Sequence, residues 1–259
     1  MKLVSLNILG GKVFEPLMAF VKSAAPDTDI FCFQEVFRCP KGPVESHGTR
    51  TNILADLVSA LEGFQCYFCP VQNGIDLEDF VDFDIETGQA IFVKKSLNVG
   101  GAGEIFVYRD RNGAENIKTI PAALNYIQIE REGKKFTVCN FHGLAFPGDK
   151  LDTPERLKQS ERIVKFLDGV DGQKVLCGDF NLLPDTESIK MIGAEMKNLI
   201  SAFGIERTRS RLSPFYGKED FQPFADYTFV SSDINVKSFH VPDVEVSDHL
   251  PMILEFGVD

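Results

Sequence analysis

At 259 residues the chain exceeds the usual size of one domain, yet all-β sandwiches and layered α/β folds reach this length as a single unit. Hydrophobic residues make up 44% and include 23 Phe against no Trp, enough for a large core in which Phe does most of the aromatic packing. Lys plus Arg total 27 against 38 Asp plus Glu, and a net charge of −11 argues against non-specific binding to nucleic acid or anionic membranes, although a local basic rim can coexist with an acidic remainder. Of the six cysteines, Cys32, Cys139 and Cys177 lie in apolar strand-like runs and read as small core residues. Cys66 and Cys69 have CxxC spacing without a second pair or nearby His, so a structural role is expected. No apolar run is long enough to cross a bilayer, and residues 1–10 enter a strand pattern with no signal core. The expectation is a reduced, cytoplasmic, soluble monomer without a membrane anchor.

Leu3-Val4-Ser5-Leu6 reads as a short strand ending in Asn7, and Lys12–Ser23 has helical apolar spacing. Asp29–Phe33 is nearly continuous in apolar residues, as in a strand covered on both faces, and ends in Gln34-Glu35. A Pro/Gly-rich loop, Cys39 to Gly48, precedes an amphipathic helix over Thr51–Leu61 that stops at Gly63. Residues 74–88 carry Asp76, Glu78, Asp79, Asp82, Asp84 and Glu86 without EF-hand spacing, and read as a solvated acidic loop. Ala90–Val93 and Ile105–Tyr108 read as strands, and Tyr126–Glu130 with Lys135–Asn140 as a hairpin across Glu132-Gly133. Asp152-Thr153-Pro154-Glu155 starts a helix to Leu167, with Asp or Thr as cap, Pro in the first turn and an acid at the positive end of the dipole. After the strand Val175–Cys177, helices open at Pro184-Asp185-Thr186 and over Met196–Ala202. Residues 207–225 are basic, aromatic and irregular, and Tyr227–Val230 and Met252–Phe256 are the last strands. No repeat or linker divides the chain, so one domain over 1–259 is expected. Strands outnumber helices, which favours two sheets packed face to face with helices outside.

The strands share a feature: they end in, or follow, polar groups suited to phosphate or metal chemistry. Val175-Leu176-Cys177 leads through Gly178, where the backbone can turn, to Asp179 and Asn181, which share one face if strand geometry persists. Leu3–Leu6 precedes Asn7, Ile30–Phe33 precedes Glu35, Phe136–Cys139 precedes Asn140 and His142, and Asp226 opens Tyr227–Val230. Ser247-Asp248-His249 stands just before the last strand. Glu35 and Asp248 are hard oxygen ligands that, with the amide oxygen of Asn7, suit Mg²⁺. Asp226 can orient and charge-stabilise His249 as a base. Asn7, Asn181 and His142 offer hydrogen-bond donors to a phosphoryl oxygen, and Asp179 is a second candidate for positioning or deprotonating water. Metal-assisted attack of water on a phosphoester needs these parts and no covalent intermediate. Ser247 does not sit in a GxSxG elbow, so it is read as shaping the turn.

Ser5-Leu6-Asn7, Gln34-Glu35-Val36, Asn140-Phe141-His142, Gly178-Asp179-Phe180-Asn181, Asp226-Tyr227 and Ser247-Asp248-His249 together resemble the endonuclease/exonuclease/phosphatase superfamily, which includes the DNase I-like nucleases. The motifs stand in the family's order over residues 5 to 249, and Gly-Asp-Phe-Asn and the terminal Ser-Asp-His are the specific ones. The resemblance implies an α/β fold, a four-layer α/β/β/α sandwich of two mixed sheets with helices outside. It also implies dependence on Mg²⁺ or Mn²⁺ and hydrolysis of a phosphoester substrate by activated water, as a phosphodiesterase or nuclease. The alternatives are a phosphatase or phosphodiesterase on a small phosphorylated metabolite or lipid head group, or a binding module that has kept the fold and lost the chemistry. Motif by motif, the resemblance makes Glu35 the principal metal ligand with Asn7 and Asp248 nearby. It makes Asp226 and His249 the catalytic pair, Asp179 and Asn181 the water- and phosphate-binding pair, and His142 a phosphate donor. Leu9 and His142 stand where abasic-site nucleases carry an acid and a Tyr, which draws the likeness toward the DNase I and lipid-phosphoesterase branches.

A nucleic-acid substrate calls for a basic rim with aromatics. Arg207, Arg209, Arg211 and Lys218, with Phe215, Tyr216 and Phe221, offer such a rim just before Asp226, and Arg109, Arg111 and Lys118 can add to it. The acidic loop at 76–86 argues against a broad DNA-binding face.

Overall fold

Alternation along the apolar strands decides the architecture, because each central strand has two apolar faces to cover. The computed structural model describes residues 1–131 and 133–257. Its elements are β1 (Lys2–Asn7), α1 (Phe14–Ala24), β2 (Ile30–Arg38), the short pair β3 (Glu45–Ser46) and β4 (Thr49–Arg50), α2 (Ile53–Ala60), β5 (Phe64–Asn73), β6 (Glu86–Lys94), β7 (Val99–Tyr108), β8 (Ala122–Arg131) and β9 (Lys134–His142). They continue with α3 (Pro154–Asp168), β10 (Gln173–Asp179), α4 (Glu187–Glu195), β11 (Lys197–Asn198), α5 (Leu199–Ala202), β12 (Asp226–Val230), β13 (Asn235–His240) and β14 (Met252–Gly257).

Two six-stranded sheets result, in the orders β13-β14-β1-β2-β6-β5 and β11-β12-β10-β9-β8-β7. Both are mixed: β1 with β2 and β9 with β10 are parallel, and the remaining pairs in these sheets are antiparallel. Leu3, Ile30, Cys32 and Ile91 face the second sheet, where Ile127, Val138 and Val175 meet them in one core. Val4, Leu6, Phe31, Phe33 and Phe92 point the other way, against Leu17 and Val21 of α1 and Ile53 and Leu57 of α2. Ile163 and Leu167 of α3 and Ile189 and Ile192 of α4 close the far side of the second sheet. The architecture is the expected sandwich of two mixed sheets with helices outside. Among the described residues no helix is long and apolar enough to cross a membrane.

Several local expectations need correction. No apolar pattern marks β5 and β13, which are the two edges of the first sheet. Edge strands bury less apolar surface and so carry weaker patterning. β5 also contains Pro70, which an edge tolerates because no ladder bond is lost there. β2 does not stop at Gln34-Glu35 but continues through a register shift to Arg38. The Cys39–Gly48 loop includes the first strand of the β3–β4 pair. Met196–Ala202 is not one helix: Met196 is extended, β11 pairs with β12, and α5 is a single turn. Thr153 alone caps α3, accepting from Arg156 N at 3.2 Å. Asp152 instead accepts from Glu187 N, Ser188 N and Ser188 Oγ at the start of α4, whose N-cap Thr186 turns its hydroxyl back to the Leu183 carbonyl and makes no capping bond. The hairpin of β8 and β9 forms in register, while Glu132 of its expected turn lies outside the described residues. All six cysteines are free thiols.

Candidate active site

Strand direction brings the polar endings together. β1, β9 and β10 finish at the same edge of the sandwich, and β12 begins there. Asp179 lies in register beside His142 of β9 on one side and Asp226 of β12 on the other. Asn7 reaches across from the first sheet and donates Nδ2 to Asp179 Oδ2 at 3.0 Å. Its Oδ1 accepts from Leu9 N at 3.0 Å, which turns the chain away after β1.

Gly178 and Asn181 reverse their expected parts. Gly178 lies inside β10, and a Cβ there would come within 2.0 Å of the Phe141 carbonyl oxygen, so the glycine permits close strand approach. The turn comes at Asn181, with φ 53° and its N–H donated to Asp179 Oδ1 at 2.9 Å. Strand alternation therefore does not carry from Asp179 to Asn181, yet both face the site while Phe180 packs edge-on against Phe141, Tyr227 and Phe229. Glu35 is re-aimed in a similar way. Regular alternation would turn it toward the helices with Phe33. The bulge between Gln34 and Val36, with Glu35 at φ 56°, swings its carboxylate to the site, where Oε1 lies 3.8 Å from His142 Nε2.

The other wall is built by Ser247-Asp248-His249. His249 Nδ1 lies 2.9 Å from both oxygens of Asp226, which fixes the ring and leaves Nε2 facing the site. Ser247 Oγ accepts from His249 N at 3.3 Å, the turn-shaping role expected of it. Asp226 is held by its own N–H on Thr208 Oγ1 at 3.1 Å. Arg209 is bridged to His249 along the backbone, and its guanidinium donates to His249 Nε2 and, at 2.5 Å, to Asp248 Oδ2. Since Arg carries only donors, Nε2 is an acceptor in this arrangement.

Two cations enter the site, and neither stands in a family motif. Arg209, expected on the rim, lies instead against Asp248 and His249 with its side chain 13% exposed. Lys150 was not foreseen; it is only 8% exposed and donates Nζ to Asn181 Oδ1 at 3.2 Å. Its loop is pinned by the buried Arg156, whose guanidinium donates to the carbonyls of Leu144, Pro147 and Leu151. Nothing in the spacing of that loop marks Lys150. Arg207 and Arg211 stay outside, both paired with Asp243, at 2.6 and 3.1 Å. Arg109 and Arg111 are likewise paired, with Glu115 and Glu104.

The charges tune one another. Burial opposes ionisation of Asp179, but His249, Lys150, His142 and Arg209 outweigh it and hold the carboxyl at about 2. Burial and the Arg209 charge favour neutral His249, and the carboxylates of Asp226, Asp248 and Asp179 overcome both, raising its pKa above the ordinary value. Burial raises the pKa of Glu35 and lowers that of Lys150.

These donors fit a divalent cation. Glu35 keeps 18% of its side-chain surface, yet its Oε2 is shielded from solvent and has no hydrogen-bond partner. A carboxylate oxygen in that state is available to a hard cation, with Asn7 and Asp248 flanking it. Asp179, Asp226 and His249 also offer ligand atoms within 4.8 Å of one another. Their atoms are already engaged, Asp226 by His249 and Asp179 by Asn7 and Asn181, which distinguishes them from Glu35.

Known proteins share this framework. No curated protein matches the sequence. The mannosyl-6-phosphatase of Bacteroides thetaiotaomicron superimposes with a TM-score of 0.71 at 17% identity, covering 99% of each chain. The human Nocturnin catalytic domain, solved with a bound sulfate anion, gives 0.71 at 20% identity, covering 99% of this chain and 93% of that one. A humanised Danio rerio TDP2 gives 0.68 at 15%, covering 100% and 99%. At these identities the likeness is one of fold. The sequence model of the endonuclease/exonuclease/phosphatase family matches residues 4–249, the span from β1 to His249. The chain is a member of the endonuclease/exonuclease/phosphatase family.

Proposed function

We propose that the protein is a divalent-metal-dependent phosphoester hydrolase, acting on a phosphodiester with water as the nucleophile. The observation that carries the reading is the unpartnered, shielded Oε2 of Glu35, linked through His142 and Asp179, at 3.6 to 3.8 Å, to the Asp226–His249 pair. A divalent cation held by Glu35, Asn7 and Asp248 would polarise a phosphoryl oxygen and offset the charge that builds there. His249, with Nδ1–H held by Asp226, would take a proton from water at Nε2 once the Arg209 guanidinium that now donates to it turns to the phosphate. Asp179 is a weak base at about 2 and its oxygens are occupied, so it serves as fixed negative charge rather than as proton acceptor. His142, Asn181 and Lys150 provide donors for non-bridging oxygens, and Arg209 provides a fork suited to phosphate once it leaves Asp248. Mg²⁺ is favoured by the all-oxygen ligand set.

Hydrolysis of bis(p-nitrophenyl) phosphate tests this. Turnover with Mg²⁺ or Mn²⁺ that stops with EDTA and falls in His249→Ala is expected; metal-independent turnover unchanged by His249→Ala rules the reading out. A nuclease is the second reading. It is favoured by Phe215 and Tyr216, which are 50% and 41% exposed, with Lys218 and Arg207 over their rings at 5.5 and 5.6 Å. Single-stranded DNA, duplex DNA, RNA and inositol phosphates compared side by side separate it from action on a smaller phosphoester.

A further inference from the structure

A cleft of about 120 Å³ opens beside the candidate active site, and His142, which lies 3.8 Å from Glu35 and Asp179, lines it. Leu77, Ile117, Ile120, Pro121, Leu144 and Phe146 supply its apolar walls. The polar side chains that border it are largely spent. Asp76 accepts from Ser46 Oγ, His47 Nδ1 and the N–H groups of Glu78 and Asp79, at 2.6 to 3.0 Å. Gln89 donates Nε2 to Ala123 O, Asn125 Oδ1 and Asn140 O. Lys118 stands at the mouth, its Nζ 5.9 Å from the centroid of the Phe146 ring, which is 41% exposed.

We propose that this cleft is a subsite for an apolar substituent of the phosphoester, about one ring in size. The inference deepens the hydrolase reading and rests on it, since His142 must lie against the phosphate for the cleft to receive the group attached there. Size supports it, because a dry apolar cavity of about 150 Å³ takes up benzene. Chemistry supports it too. A nucleobase brings several donors and acceptors that need partners when covered, whereas an aryl or short alkyl group asks only for apolar walls. The substrate class is a phosphate ester carrying such a group beside the phosphorus.

Calorimetric titration with phenylphosphonate and methylphosphonate, in buffer with Mg²⁺, tests the subsite without turnover. Covering the extra ring carbons makes phenylphosphonate bind about tenfold tighter in the wild-type protein. In Ile120→Ser, and in Phe146→Ala on the exposed rim, the ratio falls below about threefold while methylphosphonate binding in the same variant gives the internal reference. Equal binding of the two phosphonates by the wild-type protein overturns the subsite and leaves the hydrolase reading standing. An unchanged ratio in both variants also overturns it. Failure of both phosphonates to bind overturns the phosphate site, and the subsite with it.

Discussion

Two polar layers lie side by side between the same two sheets, and they behave in opposite ways. The inner layer is made of amides. Gln34 Nε2 donates to Asn140 Oδ1 at 2.6 Å, Asn140 Nδ2 to the carbonyls of Phe33 and Ala90, and Gln89 Nε2 to Asn125 Oδ1 at 2.9 Å. One step further along the strands, Asn7, Glu35, His142, Asp179 and Asp226 form the outer layer, where ionisable groups replace most of the amides. Each layer leaves a buried oxygen without a partner, Gln34 Oε1 in one and Glu35 Oε2 in the other. An unpaired neutral amide oxygen costs folding only modestly, whereas an unpaired carboxylate oxygen resists its own charge and calls for a cation. The inner layer ties the sheets together; the outer one is poised for a ligand.

The largest expected effect separates the two layers by function. His249→Ala should lower kcat by about 10³-fold, within the range for loss of a general base, while the urea midpoint falls far less than that, by the cost of leaving the buried Asp226 carboxylate without its ring partner. Asp226→Asn should follow it by misorienting the ring. A loss of stability that matches the loss of activity would mean that the pair holds the fold rather than the chemistry.

Next comes the inverse substitution. Asn140→Leu takes away the shortest acceptor of Gln34 Nε2 and the donor that Phe33 O and Ala90 O share, and should cost about 2–4 kcal/mol in urea unfolding. Activity per folded molecule should stay measurable. If stability is unaffected, the amide layer is not what joins the sheets.

The two layers were unequally legible in the sequence. The ionisable set could be named because its residues stand at strand ends in ordered motifs, and the structure gathers Asn7, Glu35, His142, Asp179, Asn181, Asp226, Asp248 and His249 at one edge. Gln34 and Asn140 stand in the same motifs, but Gln89 and Asn125 carry no such mark, and only the register of two sheets reveals that the four amides meet. Glu35 and Asn181 reach the site through left-handed backbone that alternation does not foresee. Lys150 was invisible because its placement depends on Arg156, a helix residue whose burial no local pattern announces. The sandwich itself was readable from apolar runs covered on both faces. The edge strands β5 and β13 were not, for want of the same signal.

A third, smaller effect turns on Glu35. In protein freed of metal with EDTA, Glu35→Gln should raise stability by about 1 kcal/mol, because it removes a buried charge whose oxygen has no partner. Added Mg²⁺ should stabilise the wild-type protein and leave the variant unmoved. A metal-free variant less stable than wild type would show that Oε2 is satisfied after all.

Asp76 gives the smallest test, and takes the comparison outside the site. It is as buried as Asp179 and lies beside the apolar cleft, but all its bonds are made within the molecule. Burial works against its charge, and the Ser46 hydroxyl, the N–H groups of Asp79 and Glu78 and the His47 ring outweigh that, so its pKa is lowered. A depressed carboxyl stabilises the fold above its unfolded value of about 3.9, and that contribution drains away as the pH falls through the folded value. Asp76→Asn should therefore cost about 1 kcal/mol at neutral pH and progressively less in acid, until the two unfolding curves meet once the folded carboxyl is protonated. Metal should not alter this difference, because both Asp76 oxygens already have partners and Glu35 Oε2 does not. A gap between the two proteins that stays constant from pH 7 to pH 3 would show that Asp76 contributes shape and not charge, and full satisfaction would no longer separate it from Glu35.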